Sequence, residues 1–243
     1  MKPQEHRLTL DALRAVLETI WLPFSRSAGV PSAARAFLRR FGQTIAEPGQ
    51  AAERARFDTG KWSLELLKRL EWRRFEELCA AYFEALGFKT AVTHSRADGG
   101  ADILLAAAGA DSASAVVHCK AWSAYRVGIK PVRALRAAMT SAGAGEGILA
   151  TSGRFTQEAV DGAAAESITL IDGAEMIGKL AALAPEQARA LLKLATQGDF
   201  LTPTCPHCSV KMIARQSIAH GRKFWGCPNY PQCKETVFGT VQG

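Results

Sequence analysis

Four cysteines close to the C-terminus are spaced for metal binding. Cys205-Pro206-His207-Cys208 is followed, after eighteen residues, by Cys227-Pro228-Asn229-Tyr230-Pro231-Gln232-Cys233. Zinc takes four soft ligands in a tetrahedron, and two close pairs on two turns supply them. A segment of ~40 residues buries too little apolar area to fold alone, so the metal would supply the missing stability. Prolines after Cys205 and Cys227 stiffen the two turns. His207 reads as a turn residue, because the four thiolates already fill the site. The other two cysteines, Cys79 and Cys119, lie in apolar segments and read as small buried hydrophobes.

A second set of residues suggests phosphoryl chemistry. Asp98-Gly99-Gly100-Ala101-Asp102-Ile103 precedes Val117-His118-Cys119-Lys120. If these runs are adjacent strands, Asp102 and Lys120 converge at one sheet edge. A carboxylate there anchors a hard divalent cation such as Mg²⁺. The cation polarises a phosphate and acidifies a water, while a lysine positions that water or stabilises developing charge. Asp and Lys are common at strand ends, so the pair by itself does not define a reaction. Asp98 can equally cap the Gly-Gly turn.

The elements that must position these residues follow from apolar spacing. Helical stripes cover 8–22 and 31–43, and 45–60 reads as a linker or loose helix. A continuous helical pattern is expected from Trp62, through Leu64, Leu67, Leu70, Phe75, Leu78, Tyr82 and Leu86, to a stop at Gly87. Five short runs read as strands: 88–93, 102–107, 115–120, 147–151 and 168–171. Helices are expected at 129–142, 156–165, 174–183 and 186–196, with Pro131 suited to a first turn. Three successive strands followed by helical crossovers imply an α/β fold whose mixed sheet is covered by helices.

With the motifs in that order, residues 70–182 resemble the Mrr-type branch of the PD-(D/E)xK nuclease superfamily. The likeness is carried by Phe75-Glu76, Leu86-Gly87-Phe88, Asp98-Gly99-Gly100-x-Asp102-Ile103 and His118-x-Lys120. It continues in Thr151-Ser152-x-x-Phe155-Thr156-x-x-Ala159 and Ile171-Asp172-Gly173. The resemblance implies a restriction-endonuclease-like αβββαβ core that hydrolyses DNA phosphodiesters with Mg²⁺. Asp102 would be the main metal ligand, Lys120 the catalytic lysine, and Glu76 a further metal-site or supporting acid. One position departs from the family, which has Glu or Gln where this chain has His118. Imidazole suits Mn²⁺ or Zn²⁺ better than Mg²⁺. The centre then works with a changed metal preference, recruits Glu76, or is dead. Thr151-Ser152 reads as a phosphate contact or a turn, and the basic face Lys130, Arg133, Arg136 as a DNA track or an ordinary solvated face.

Residues 203–239 resemble the four-cysteine zinc fingers at the C-terminus of bacterial type IA topoisomerases. The matching residues are Cys205-Pro206-x-Cys208 and Phe224-Trp225-Gly226-Cys227-Pro228-Asn229-Tyr230-Pro231-x-Cys233. The resemblance implies DNA binding, largely single-stranded. Phe224, Trp225, Tyr230 and Phe238 offer stacking faces, with at least one serving a miniature core. Lys211, Arg215, Arg222, Lys223 and Lys234 offer phosphate contacts.

Charge agrees with a polyanionic partner. Residues 1–60 carry nine Lys and Arg against six Asp and Glu, residues 61–200 carry sixteen of each, and residues 201–243 carry five against one. No apolar run approaches the ~18–20 residues that span a bilayer. No signal-peptide pattern opens the chain, so it is read as cytoplasmic. Three units are expected: an N-terminal helical extension (1–60), a nuclease-like domain (61–200) and a zinc ribbon (201–243). The extension is a candidate dimerisation or targeting element, or a packing extension of the core, which leaves a homodimer open. The reading is a Mg²⁺- or Mn²⁺-dependent DNA endonuclease of the restriction or repair kind that also carries structural Zn²⁺. The alternative is an inactive DNA-binding accessory protein that kept the fold.

Overall fold

The computed structural model describes residues 57, 60–93, 101–110, 112–121, 126–216 and 223–237. The helices expected at 8–22 and 31–43, most of the 45–60 segment, and Asp98 lie outside these residues.

The helical pattern from Trp62 to Gly87 is two helices, a correction to the continuous one expected. Helix α1 (Leu64–Arg69) stops where Leu70 turns to ψ 129°, and α2 (Trp72–Ala85) begins after Glu71. The physical reason is Glu71 itself. Its carboxylate accepts the Arg73 amide at 3.1 Å, so it serves as an N-cap where a continuing helix would leave it in the interior. Helix α2 ends where expected. Gly87 takes φ +94°, and the Phe88 amide returns to the Phe83 carbonyl at 3.1 Å, which closes the last turn.

Five strands follow: β1 (Lys89–Val92), β2 (Ile103–Ala106), β3 (Ala115–Lys120), β4 (Glu146–Thr151) and β5 (Ile168–Ile171). They lie in sequence order in one sheet, antiparallel from β1 to β3 and parallel from β3 to β5. The parallel pairs are bridged by α3 (Ile129–Ala142) and α4 (Gln157–Ala164), and α5 (Gly173–Ala181) and α6 (Pro185–Thr196) complete the unit.

Period-two alternation sorts the strand residues between two apolar layers. Ile103, Leu105, Val117, Cys119, Ile148 and Ala150 pack with residues of α1, α2, α5 and α6. Val116 and Leu149 pack on the other face with Val132, Leu135 and Met139 of α3 and Ala159 of α4. Both faces being covered, β3 is apolar almost throughout, as central strands with helical crossovers are. The polar exceptions, His118 and Lys120, are therefore conspicuous.

Phe200 closes the first of these layers. Beyond it a second sheet forms from β6 (Ile213–Gln216), β7 (Lys223–Gly226) and β8 (Thr236–Val237), all antiparallel. Its small core is made of Cys205, Met212, Cys227 and Cys233, with Cys208, Trp225 and Val237 against it. Among the described residues no helix is long and apolar enough to cross a membrane.

Candidate active site and metal centre

Asp102 enters the sheet through an irregularity. Its amide donates to the Val117 carbonyl at 3.1 Å, yet Val117 is the register partner of Ile103. Two residues of the incoming strand thus face one on β3, the arrangement of a β-bulge, which re-aims a side chain. The Asp102 carboxylate turns onto β3, and its Oδ2 accepts the Cys119 amide at 2.7 Å. The same oxygen lies 3.8 Å from Lys120 Nζ. Asp102 and Lys120, expected to converge, do so at one rim of the sheet. Asp102 and His118 are buried, and only Lys120, 26% exposed at its side chain, reaches outward.

Glu76 comes from the second turn of α2, in the opposite helical layer, and is also buried. Burial pushes the Cys119 thiol well up. Cys79 adds to this, and so do the negative charges of Asp102 and Glu76. Cys119 thus feels both carboxylates. It and Cys79 are free and buried, as their apolar settings suggested. Among the described residues, the four C-terminal cysteines alone bring three or more metal-ligating side chains together. Asp102, His118 and Glu76 are not such a cluster.

Lys120 and Thr151 are register partners at the ends of parallel β3 and β4. The Thr151 hydroxyl donates to the Lys120 carbonyl at 2.7 Å and accepts the Gly153 amide at 3.1 Å. Thr151 is thus a brace at the rim, and both it and Ser152 are buried. Gly173, at the start of α5, closes on this brace. A Cβ there would stand 2.5 Å from the Ser152 carbonyl oxygen. On α3, Lys130, Arg133 and Arg136 are exposed, but Arg136 is paired with Glu166 at 2.7 Å.

In the ribbon, the Sγ atoms of Cys205, Cys208, Cys227 and Cys233 all lie within 4.8 Å of one another. Cys205 and Cys233 are 3.7 Å apart, close to the ~3.8 Å edge of a tetrahedron with Zn–S bonds of ~2.3 Å. The donor set fits structural zinc. His207 is exposed outside it.

The DNA-contact candidates divide. Arg215 and Tyr230 are exposed, with the guanidinium 5.9 Å from the ring centroid. Gly226 permits the Arg215 stem to cross β7, since a Cβ there would meet Arg215 Cδ at 2.7 Å. Trp225 is half-buried against the cysteine core. Lys234 is exposed. Lys211 is engaged by Glu71 at 3.2 Å and by the Thr202 carbonyl at 2.8 Å. Arg222, Phe238 and the side chain of Lys223 lie outside the described residues. Sequence reasoning missed Glu71, whose only signal was a charged residue inside an otherwise helical stripe.

Two family models match the chain. Residues 67–180 match a family model described as restriction endonuclease, and residues 202–239 match the topoisomerase DNA-binding C4 zinc finger. Two solved structures are similar at low identity. The DNA modification-dependent restriction endonuclease AspBHI is 19% identical with a TM-score of 0.40, over 71% of this chain and 43% of that one. The MspJI restriction endonuclease in complex with a 27-mer oligonucleotide is 16% identical with a TM-score of 0.35, over 76% of this chain and 42% of that one. The chain spans less than half the length of either. No curated protein matches it. The chain carries a restriction endonuclease domain of the Mrr type followed by a topoisomerase-type four-cysteine zinc finger.

Proposed function

We propose that the protein is a metal-dependent DNA endonuclease of the restriction or repair kind, acting in the cytoplasm, with 61–200 as its nuclease unit and 201–243 as a DNA-holding ribbon. The observation that carries the reading is the shared rim position of Asp102 and Lys120, 3.8 Å apart. Asp102 Oδ2 is held by the Cys119 amide, and Oδ1, which makes neither contact, is the atom to hold Mg²⁺ or Mn²⁺. When bound, the cation neutralises phosphate charge and acidifies a water. Lys120 stabilises charge on the phosphate or orients the water. We assign Glu76 as a supporting acid and His118 as a candidate nitrogen ligand, each to be tested, since with Asp102 they do not form a ready three-ligand cluster. In the ribbon, Arg215 and Tyr230 present a cation and a stacking face to a DNA strand, with Arg222, Lys223 and Trp225 as further contacts. The test is cleavage of single-stranded and duplex DNA with Mg²⁺ and with Mn²⁺. Wild-type protein that cuts neither form with either metal contradicts the reading.

His118 favours a second reading, in which the domain binds DNA without cutting it. Isothermal titration of the zinc-loaded protein with Mn²⁺ separates the two. A site lost in Asp102→Asn supports the nuclease, and no second site supports the accessory protein.

A further inference from the structure

Among the described residues, the buried Glu71 and its neighbour Trp72 tie the ribbon to the nuclease-like unit. Glu71, 3% exposed at its side chain, is the N-cap of α2. Its Oε2 accepts the amides of Arg73 and Thr204, each at 3.1 Å. Its Oε1 accepts the Thr204 hydroxyl at 3.1 Å and Lys211 Nζ at 3.2 Å. The neighbouring Trp72 indole donates to the Thr204 carbonyl at 2.7 Å. Three of the four donors on the carboxylate thus come from Thr204 and Lys211. Those two residues face each other in a β-bridge around the turn that carries Cys205 and Cys208.

That turn keeps its shape only while its thiolates are gathered, because the ribbon's core is little more than those cysteines and Met212. With the turn loosened, Glu71 keeps only the Arg73 amide of its own helix. A buried carboxylate in that state pulls toward water and takes the start of α2 with it. Helix α2 packs on β1, β2 and β3 and carries Glu76 five residues further on.

We infer that zinc in the ribbon positions the first turns of α2, and with them Glu76, through the Glu71 carboxylate. The metal site is then a control point for the nuclease centre as well as a fold staple. The consequence for cleavage rests on the nuclease reading, while the coupling itself does not.

The experiment is hydrogen exchange on the full chain, zinc-loaded and after chelation, with zinc release to a chromophoric chelator followed in parallel. Removing zinc is expected to speed exchange about tenfold over 71–80 as well as over 204–233, leaving 146–164 unchanged. Glu71→Gln is expected to release zinc about tenfold faster and to abolish the zinc dependence over 71–80. Should that variant fail to fold, Lys211→Met decides, since the lysine is 38% exposed at its side chain. Faster release and weakened coupling support the inference. Exchange over 71–80 that ignores zinc, or release from Lys211→Met at the wild-type rate, overturns it. A protein that cuts no DNA yet shows zinc-dependent exchange in α2 keeps the coupling and loses only the nuclease reading.

Discussion

Lys120 Nζ lies 3.8 Å from the same Asp102 oxygen that takes the Cys119 amide at 2.7 Å. Both contacts fall on Oδ2, so the structural role of the carboxylate can be separated from its charge. Asp102→Asn keeps an acceptor for the amide and removes the charge. It is expected to lower cleavage by about 10²–10³-fold or more while DNA binding persists. Lys120→Met should do the same. Asp102→Ala should also lose about 1–3 kcal/mol of stability in urea, because the Cys119 amide is left buried without an acceptor. Cleavage rates and unfolding midpoints of the three variants check this, and an active Asp102→Asn removes the metal role.

His118 sits where the nuclease family that the chain resembles has Glu or Gln. His118→Glu is expected to raise the ratio of Mg²⁺- to Mn²⁺-supported cleavage about tenfold, since oxygen suits the harder ion. Rates measured in each metal give the ratio. No change would mean that the imidazole does not touch the cation.

Arg215 and Tyr230 form one exposed face of the ribbon. Tyr230→Ala should weaken single-stranded DNA binding by about 1–3 kcal/mol. Arg215→Ala should weaken binding and flatten its salt dependence by about one phosphate contact. Fluorescence anisotropy across a salt series reads both. A steep salt slope retained in Arg215→Ala would move the contact elsewhere.

Burial raises the Glu84 carboxyl, at the end of α2, from its ordinary value, against the lowering effect of the Thr90 hydroxyl bonded to it at 2.6 Å. A carboxyl raised in the folded state adds stability below its unfolded value and loses it as pH rises through the folded one. Glu84→Gln should therefore be more stable than wild type at pH ~7, with the advantage vanishing below pH ~4. Urea midpoints at the two pH values test the sign. A difference independent of pH would assign the effect to packing.

Gly173→Ala would bring a Cβ within 2.5 Å of the Ser152 carbonyl and 2.8 Å of Leu64. Either the rim or α5 must shift, at a cost of about 1–3 kcal/mol. Thermal unfolding of the variant measures it. An unchanged midpoint would show that the α5 N-terminus yields freely.

Much of this architecture was legible because its signals are periodic or chemically specific. β3, β5 and α3 fall at the expected residues, because central strands and amphipathic helices repeat their apolar spacing. The cysteine pairs announced their tetrahedron through spacing alone. The break before Trp72 was not legible. The residue that makes it is a glutamate, ordinarily a good helix former, and its partners Thr204 and Lys211 lie more than 130 positions away. The brace at Thr151 was missed for a related reason. A hydroxyl reads the same whether it faces a ligand or the neighbouring strand's carbonyl, and only the pairing of β3 with β4 decides.

The bulge at Asp102 has a consequence for how the site comes into being. Where the main chain of β2 veers away, the carboxylate itself serves as the next partner for β3. Assembly of the sheet and presentation of the acid are thus a single cooperative event. A chain with these two strands unzipped at that end has no half-built rim, and the acid is presented only once the fold is closed.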